Sequence, residues 1–155
     1  MRVIEEFSFD EEPGKTQVKS NITESVEKPN ISIVTPFYNA EQNFIQTYYC
    51  VVNQSMEAFE WIIVDDGSSR PSAVELLEEY GKKDARIRVI HQKNQGQPVA
   101  KNNGIKNSRA DIIAFLDADD LIEPFYLEIL YKALNEYPDA AWSYTDLVGF
   151  RSQRY

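Results

Sequence analysis

Three short stretches of this chain place oxygen-rich side chains where apolar runs end. Asp117-Ala118-Asp119-Asp120 follows Ile112-Ile113-Ala114-Phe115-Leu116, and Asp65-Asp66-Gly67-Ser68 follows Trp61-Ile62-Ile63-Val64. Thr35-Pro36-Phe37-Tyr38-Asn39 closes the run that begins at Ile31. Taken singly, each has a structural explanation: Asn39 caps a helix, Asp66-Gly67 makes a turn, and Asp120 prepares the next helix. Brought to one rim, they gather at least four carboxylates, counting Asp65, Asp66, Asp117 and Asp119, and these repel one another without a partner. A hard divalent cation, Mg2+ or Mn2+, is such a partner through oxygen ligation, and it can bridge to a diphosphate as well.

The overall charge sharpens the point. The formal net charge is -9 over 155 residues, so an anionic ligand needs local help from a cation, a basic group or a helix N-terminus. A broad basic face for nucleic acid is excluded by the same balance, and no nucleic-acid partner is expected. Cys50 is the single cysteine; it sits in an apolar helical pattern, reads as core rather than nucleophile, and permits no internal disulfide. No apolar run approaches the roughly 18 to 20 residues that span a bilayer, and Met1 to Phe9 lacks the basic start and apolar stretch of a secretory signal. The expected location is cytoplasmic, at most peripheral at the inner face of the membrane.

The elements that must carry these stretches repeat as a unit. A β-branched strand from Ile31 to Thr35 ends at Pro36, and Asn39 then stands where an N-cap belongs. Phe44, Ile45, Tyr48, Val51 and Val52 recur at helical spacing from Glu41 to about Asn53. Trp61–Val64 is the second strand, and Pro71 opens a helix with Val74, Leu77 and Tyr80 inward. Ile87–Ile90 is the third strand, and a loop through Asn94 and Gly96 leads to a short helix from about Val99 to Asn107. Ile112–Leu116 is the fourth strand; Pro124 starts a helix that Pro138 stops; Ala140–Phe150 reads as one strand or two short ones. Strands alternating with helices predict an α/β domain with a mostly parallel sheet and flanking helices. In such sheets ligands bind beyond the carboxyl ends of the strands, where the polar stretches lie. Residues 1–29, rich in Glu, Lys, Ser and Thr without a period, read as a mobile arm, and residues 30–155 as the domain.

The order Ile-Val-Thr-Pro-Phe-Tyr-Asn, Ile-Ile-Val-Asp-Asp-Gly-Ser-Ser, Asn-Gln-Gly…Ala-Lys-Asn-Asn-Gly-Ile and Phe-Leu-Asp-Ala-Asp-Asp…Pro resembles family-2 glycosyltransferases over about Asn30 to Phe150. A bare Asp-x-Asp is a weak signal; four blocks in this order are a strong one. The resemblance implies the Rossmann-like nucleotide-binding half of a GT-A fold and a nucleotide-sugar donor, UDP-linked as the first guess. It implies a saccharide or lipid-linked acceptor, as in cell-wall or polysaccharide biosynthesis.

Carried over by position, Pro36, Tyr38 and Asn39 resemble the loop that lines the base. Asp66 resembles the carboxylate that accepts a hydrogen bond from it, with Asp65 alongside. Asp117 resembles the residue near the ribose, Ala118 is counted with it, Asp119 resembles the metal ligand, and Asp120 supports it. Where the family often has Arg, this chain has Lys101, which keeps the charge for a phosphate contact but loses the bidentate fork. His91, the only histidine, has no second candidate ligand beside it and reads as structural. The general base of an inverting transferase lies well downstream of the Asp-x-Asp in the family, so it is expected beyond Tyr155, with Asp146 too close to serve. The chain is then expected to bind a donor without transferring the sugar alone, and to self-associate through its C-terminal edge. Rival readings are an aspartate-nucleophile phosphatase, which wants Thr or Val where Leu121 stands, a receiver domain, and a non-catalytic nucleotide-binding module.

Overall fold

The computed structural model describes residues 24–145. Four strands, β1 (Ile31–Phe37), β2 (Phe59–Asp65), β3 (Ile87–His91) and β4 (Ile112–Phe115), alternate with α1 (Glu41–Val52), α2 (Pro71–Lys83), α3 (Gln97–Lys106) and α4 (Tyr126–Glu136). The sheet is parallel throughout, in the order β3-β2-β1-β4. The fold is therefore the α/β arrangement that the sequence implies, with differences in β1, at the start of α4 and after it.

Strand β1 runs through Pro36 instead of stopping there. Val34 O accepts from Leu116 N on the β4 side, and Phe37 O accepts from Asp66 N on the β2 side. Pro36 shares the parity of Val34, so its missing N–H faces the β4 side just past the end of that ladder, where no bond is lost. The second difference is that residues 140–145 form no strand, although Trp142 and Tyr144 stack with centroids 5.2 Å apart. The rest of the expected Ala140–Phe150 strand, with Asp146, lies outside the described residues, as do residues 1–23 of the expected arm. Pro124 likewise precedes its helix by two residues, α4 beginning at Tyr126.

Period-two alternation splits the sheet into two unlike faces. Ile31, Ile33 and Phe37 of β1 and Phe59, Trp61 and Ile63 of β2 pack on one face with Phe44, Tyr48 and Val51 of α1, Ala73 and Leu77 of α2, and Leu127 of α4. Thr35 shares that face and accepts a 2.8 Å hydrogen bond from the Trp61 indole. Ile62, Val64, Ala100 and Ile90 form the smaller cluster under α3 on the other face. Glu60 is fully buried there among Ser32 Oγ at 2.7 Å, Arg109 Nε at 2.8 Å, Arg88 Nη1 at 3.1 Å and the Arg109 amide at 2.6 Å. Burial pushes its carboxyl up, but these donors outweigh it and hold the carboxyl below its ordinary value. On the first face, Arg86 and Asp84 make a buried ion pair at 2.6 Å, with the guanidinium over the Phe59 ring. Among the described residues no helix is long and apolar enough to cross a membrane.

Helix α3 approaches the sheet closely because Gly104 has no side chain. A Cβ there would clash with Val34 Cγ1. Alanine is intrinsically better than glycine in a helix by roughly 0.5–1 kcal/mol, and overpacking costs about 1–3 kcal/mol, so the clash wins. Gly104→Ala is expected to lower stability by about 1–2 kcal/mol in urea unfolding. The double variant with Val34→Ala should regain part of the loss relative to Val34→Ala alone; strictly additive effects would place the cost elsewhere.

Candidate functional site

The chain lays β1, β2 and β3 outward on one side and returns to place β4 on the other side of β1. Strand order reverses between β1 and β4, and the crevice beyond the carboxyl ends at such a point is where open α/β sheets bind ligands. A cleft of about 510 Å³ lies there, within the range of small-molecule sites. Pro36, Tyr38 and Asn39 from the end of β1, Asp66 from the end of β2, and Asp117, Ala118 and Asp119 from the end of β4 line it together. Asp66 and Asp119 thus share one rim as expected, though β2 and β4 flank β1 instead of adjoining each other.

Asp65 and Lys101, also expected at the site, do not line the cleft. Alternation along β2 turns Asp65 to the α2 face, where Oδ1 accepts from Ser68 N at 2.9 Å and Oδ2 meets His91 Nδ1 at 2.8 Å. Asp66, one residue on, turns toward α3. Its Oδ1 accepts from Gln92 Nε2 and the Gln95 amide, and its Oδ2 from the Gly96 amide, all at 2.8 Å. Burial pushes the Asp66 carboxyl up, but the three donors outweigh it and leave it below its ordinary 3.8. One lone-pair site remains, on Oδ2. Lys101 Nζ lies 2.9 Å from Asp117 Oδ1, which also accepts from Gln97 Nε2 at 3.1 Å. Lys101 therefore neutralises a carboxylate at the rim instead of reaching into the cleft.

Asn39 serves a different helix from the one expected. The N-cap residue of α1 is Ala40, with no side-chain cap, while Asn39 Oδ1 accepts from the Ser69 and Arg70 amides at 3.1 Å ahead of α2. Its φ of 49° is a left-handed conformation that Asn tolerates better than most residues. The Asp run is anchored from beneath: Thr47 Oγ1 donates to Ala118 O at 3.0 Å, and Gln54 Nε2 donates to Glu123 O at 2.7 Å. Asp120 is pushed up first by burial and then by the charges of Asp117 and Asp119. Asp119 is exposed, and among the described residues its carboxylate has neither a hydrogen-bond nor an ion-pair partner.

A sequence model of glycosyl transferase family 2 matches residues 32–149. The chain belongs to that family. EpsH of Bacillus subtilis is 40% identical over 114 residues, which cover 74% of this chain and 33% of EpsH. The O-antigen biosynthesis protein RfbC of Myxococcus xanthus is 32% identical over 145 residues, 92% of this chain and 11% of its own length. Among solved structures, TarS of S. aureus superposes with a TM-score of 0.64 at 25% identity, covering 70% of this chain and 33% of that one. It has been solved with UDP and with UDP-GlcNAc. The chain spans a third or less of each of these proteins. The match decides against the phosphatase and receiver readings.

Among the described residues no three His, Cys, Asp or Glu groups come together as a cage. The donor set suits a hard ion completed by a ligand's phosphates: the exposed, unpaired Asp119 carboxylate lies in an acidic run whose Asp120 is pushed up by burial and by its neighbours' charges. The polar cleft residues that the sequence did not single out are Gln42, Asn43, Arg70 and Gln97. Only Gln97 lay in a recognised block. Among the described residues Arg70 is the one cation lining the cleft, held by Glu41 Oε1 at 3.1 Å, and no local pattern announces it.

Asp66 makes a pH prediction. Its folded pKa is depressed, so its stabilisation is complete above its unfolded value near 3.8 and is lost as pH falls through the lower folded value. Asp66→Asn turns an N–H toward at least one donor, and an unmet buried donor costs about 1–3 kcal/mol. Urea unfolding across the acid range should show that loss at neutral pH, with a shallower fall in stability below about pH 4.

Proposed function

We propose that this domain binds the nucleoside diphosphate part of a nucleotide-sugar donor, UDP being the first candidate, for glycosyl transfer to a saccharide or lipid-linked acceptor. The observation that carries this reading is the cleft at the β1/β4 switch point, where Asp66, Asp117 and an unpartnered Asp119 converge. The UDP complexes of TarS support it by family likeness.

In this reading Pro36, Tyr38 and Asn39 flank the base, and the remaining acceptor site of Asp66 Oδ2 takes a base N–H. Uracil offers one such donor, and the carboxylate is already oriented by its three internal bonds. Asp117, oriented by Lys101 and Gln97, accepts from a ribose hydroxyl. Asp119 holds Mg2+ or Mn2+, which when bound neutralises diphosphate charge and stabilises the leaving group. Lys101 contributes to the donor through Asp117 and not by direct phosphate contact. Arg70, which also lines the cleft, supplies a counter-charge for the phosphates.

Calorimetry with UDP, GDP and ADP, each in Mn2+ and in EDTA, tests the reading. UDP should bind more tightly in Mn2+. Asp119→Ala should lose on the order of tenfold or more in Mn2+, equivalent to about 1.4 kcal/mol, and little in EDTA. Equal losses in both conditions would make Asp119 a structural residue, and absence of binding by all three nucleotides would overturn the proposal.

A further inference from the structure

His91, at the end of β3, lies between two carboxylates. Its Nδ1 is 2.8 Å from Asp65 Oδ2 and its Nε2 is 3.0 Å from Glu78 Oε1 on α2. Ionised carboxylates only accept, and a neutral imidazole has one N–H to give. Both contacts are satisfied together only when both ring nitrogens carry protons. Asp65 has a nearly buried side chain, 4% exposed, and among the described residues His91 is its only ion-pair partner. The charged groups acting on the ring are Asp65 from β2 and Glu78 from α2; the hydrogen bond to Asp65 is the main cause holding the ring above its ordinary 6.5, against a smaller opposing effect of burial.

The bond continues toward the cleft. Asp65 Oδ1 accepts the Ser68 amide, Ser68 Oγ accepts the Asn39 amide at 3.0 Å, and Asn39 Nδ2 donates to Ser69 Oγ at 3.1 Å. Asn39 lines the cleft in its left-handed conformation. The residue after His91 reaches the other wall, Gln92 Nε2 donating to Asp66. We propose that His91, as an imidazolium bridging Asp65 and Glu78, is a positioning residue for the nucleotide cleft, clamping the turn after β2 and through it Asn39. This rests on the nucleotide-binding reading above. Loss of the proton releases Glu78, reduces the Asp65 contact from an ion pair to a hydrogen bond from a neutral donor, and leaves a buried carboxylate without a counter-charge.

The sign follows from the raised pKa. The clamp is complete below about 6.5, the value of a free histidine, and is lost as pH rises through the higher folded value. Because the chain has one histidine, its ring resonances report the titration without assignment ambiguity. In the nucleotide-free chain the ring should titrate above its ordinary value, and the amides of Ser68 and Asn39 should shift with the same midpoint. Glu78→Gln, on an exposed face, should lower that midpoint. A ring midpoint at or below the ordinary value, or amides that do not follow it, would overturn the clamp.

The affinity for UDP in Mg2+, measured from about pH 6.5 to about pH 9, should fall on the order of tenfold in the native chain, the factor carried by one unit of pKa change on binding. It should stay nearly flat in His91→Gln, which also records any titration of UDP itself. Identical pH profiles in the two proteins would refute the positioning role. Should His91→Gln fold poorly, Glu78→Gln carries the comparison, its affinity profile moving down in pH with its ring midpoint; an unmoved profile would refute the role. If the native chain binds no UDP at any pH, the nucleotide reading fails while the ring and amide titrations still decide the clamp.

Discussion

At the end of β2 the pleat sends two neighbouring carboxylates to opposite faces of the sheet, and the site is organised around that split. Asp65 turns toward α2 and fixes the turn that follows the strand. Asp66 turns toward α3 and binds the amides that open it. One dipeptide therefore ties together the two connections that bracket β3. Gly67 must follow with its positive φ, because a Cβ there would meet the Asn94 amide nitrogen at 2.7 Å. The positive end of α3 is thereby already neutralised by Asp66, so the helix start is a support for the cleft wall and not an open anion site.

The electrostatics of the cleft are those of an acidic protein that has partnered all but one of its cleft carboxylates. Asp66 has three internal donors, and Asp117 has Lys101 and Gln97. Asp120 is pushed toward the protonated form by burial and its neighbours. Asp119 is the exception. A single unpaired carboxylate in water is inexpensive; in the proposed reading it becomes a cation site only when a ligand brings further oxygens, which would make metal and diphosphate mutually dependent. Such coupling would let a chain of net charge -9 hold an anion without a basic patch.

Much of this was legible in the sequence because it follows from strand ends. Apolar runs of four to seven residues locate the strands, and the rule of binding beyond their carboxyl ends locates the cleft. Pro36, Tyr38, Asp66, Asp117, Ala118 and Asp119 fall where that logic puts them. The misses share a cause: partners brought from other elements. Asn39 has the composition of an N-cap for the helix that follows it, yet its side chain is claimed by amides ahead of α2. Asp65 is indistinguishable from Asp66 by composition, and only the phase of the pleat separates them. His91 did read as structural, but its two carboxylates arrive from β2 and α2 and could not be named from its neighbours in sequence. Glu60 lies outside the strand read from Trp61 to Val64, and the partners that admit it to β2, Arg88 and Arg109, come from later segments.

That last cluster bears on the order in which the chain can fold. Strands β1, β2 and β3 are consecutive and can pair as they form, but β4 must return across β1, and the Ser32 contact with Ala110 at its approach joins residues 78 positions apart. Until that return, Glu60 lacks Arg109, whose amide and guanidinium come from the segment just before β4. A three-stranded intermediate therefore carries an incompletely compensated carboxylate beneath α3, which disfavours tight closure of that layer. Docking of β4 delivers the missing donors and the Asp run in one event. The cleft is thus expected to appear late and all at once, with the slow long-range pairing of β1 and β4 as its kinetic gate.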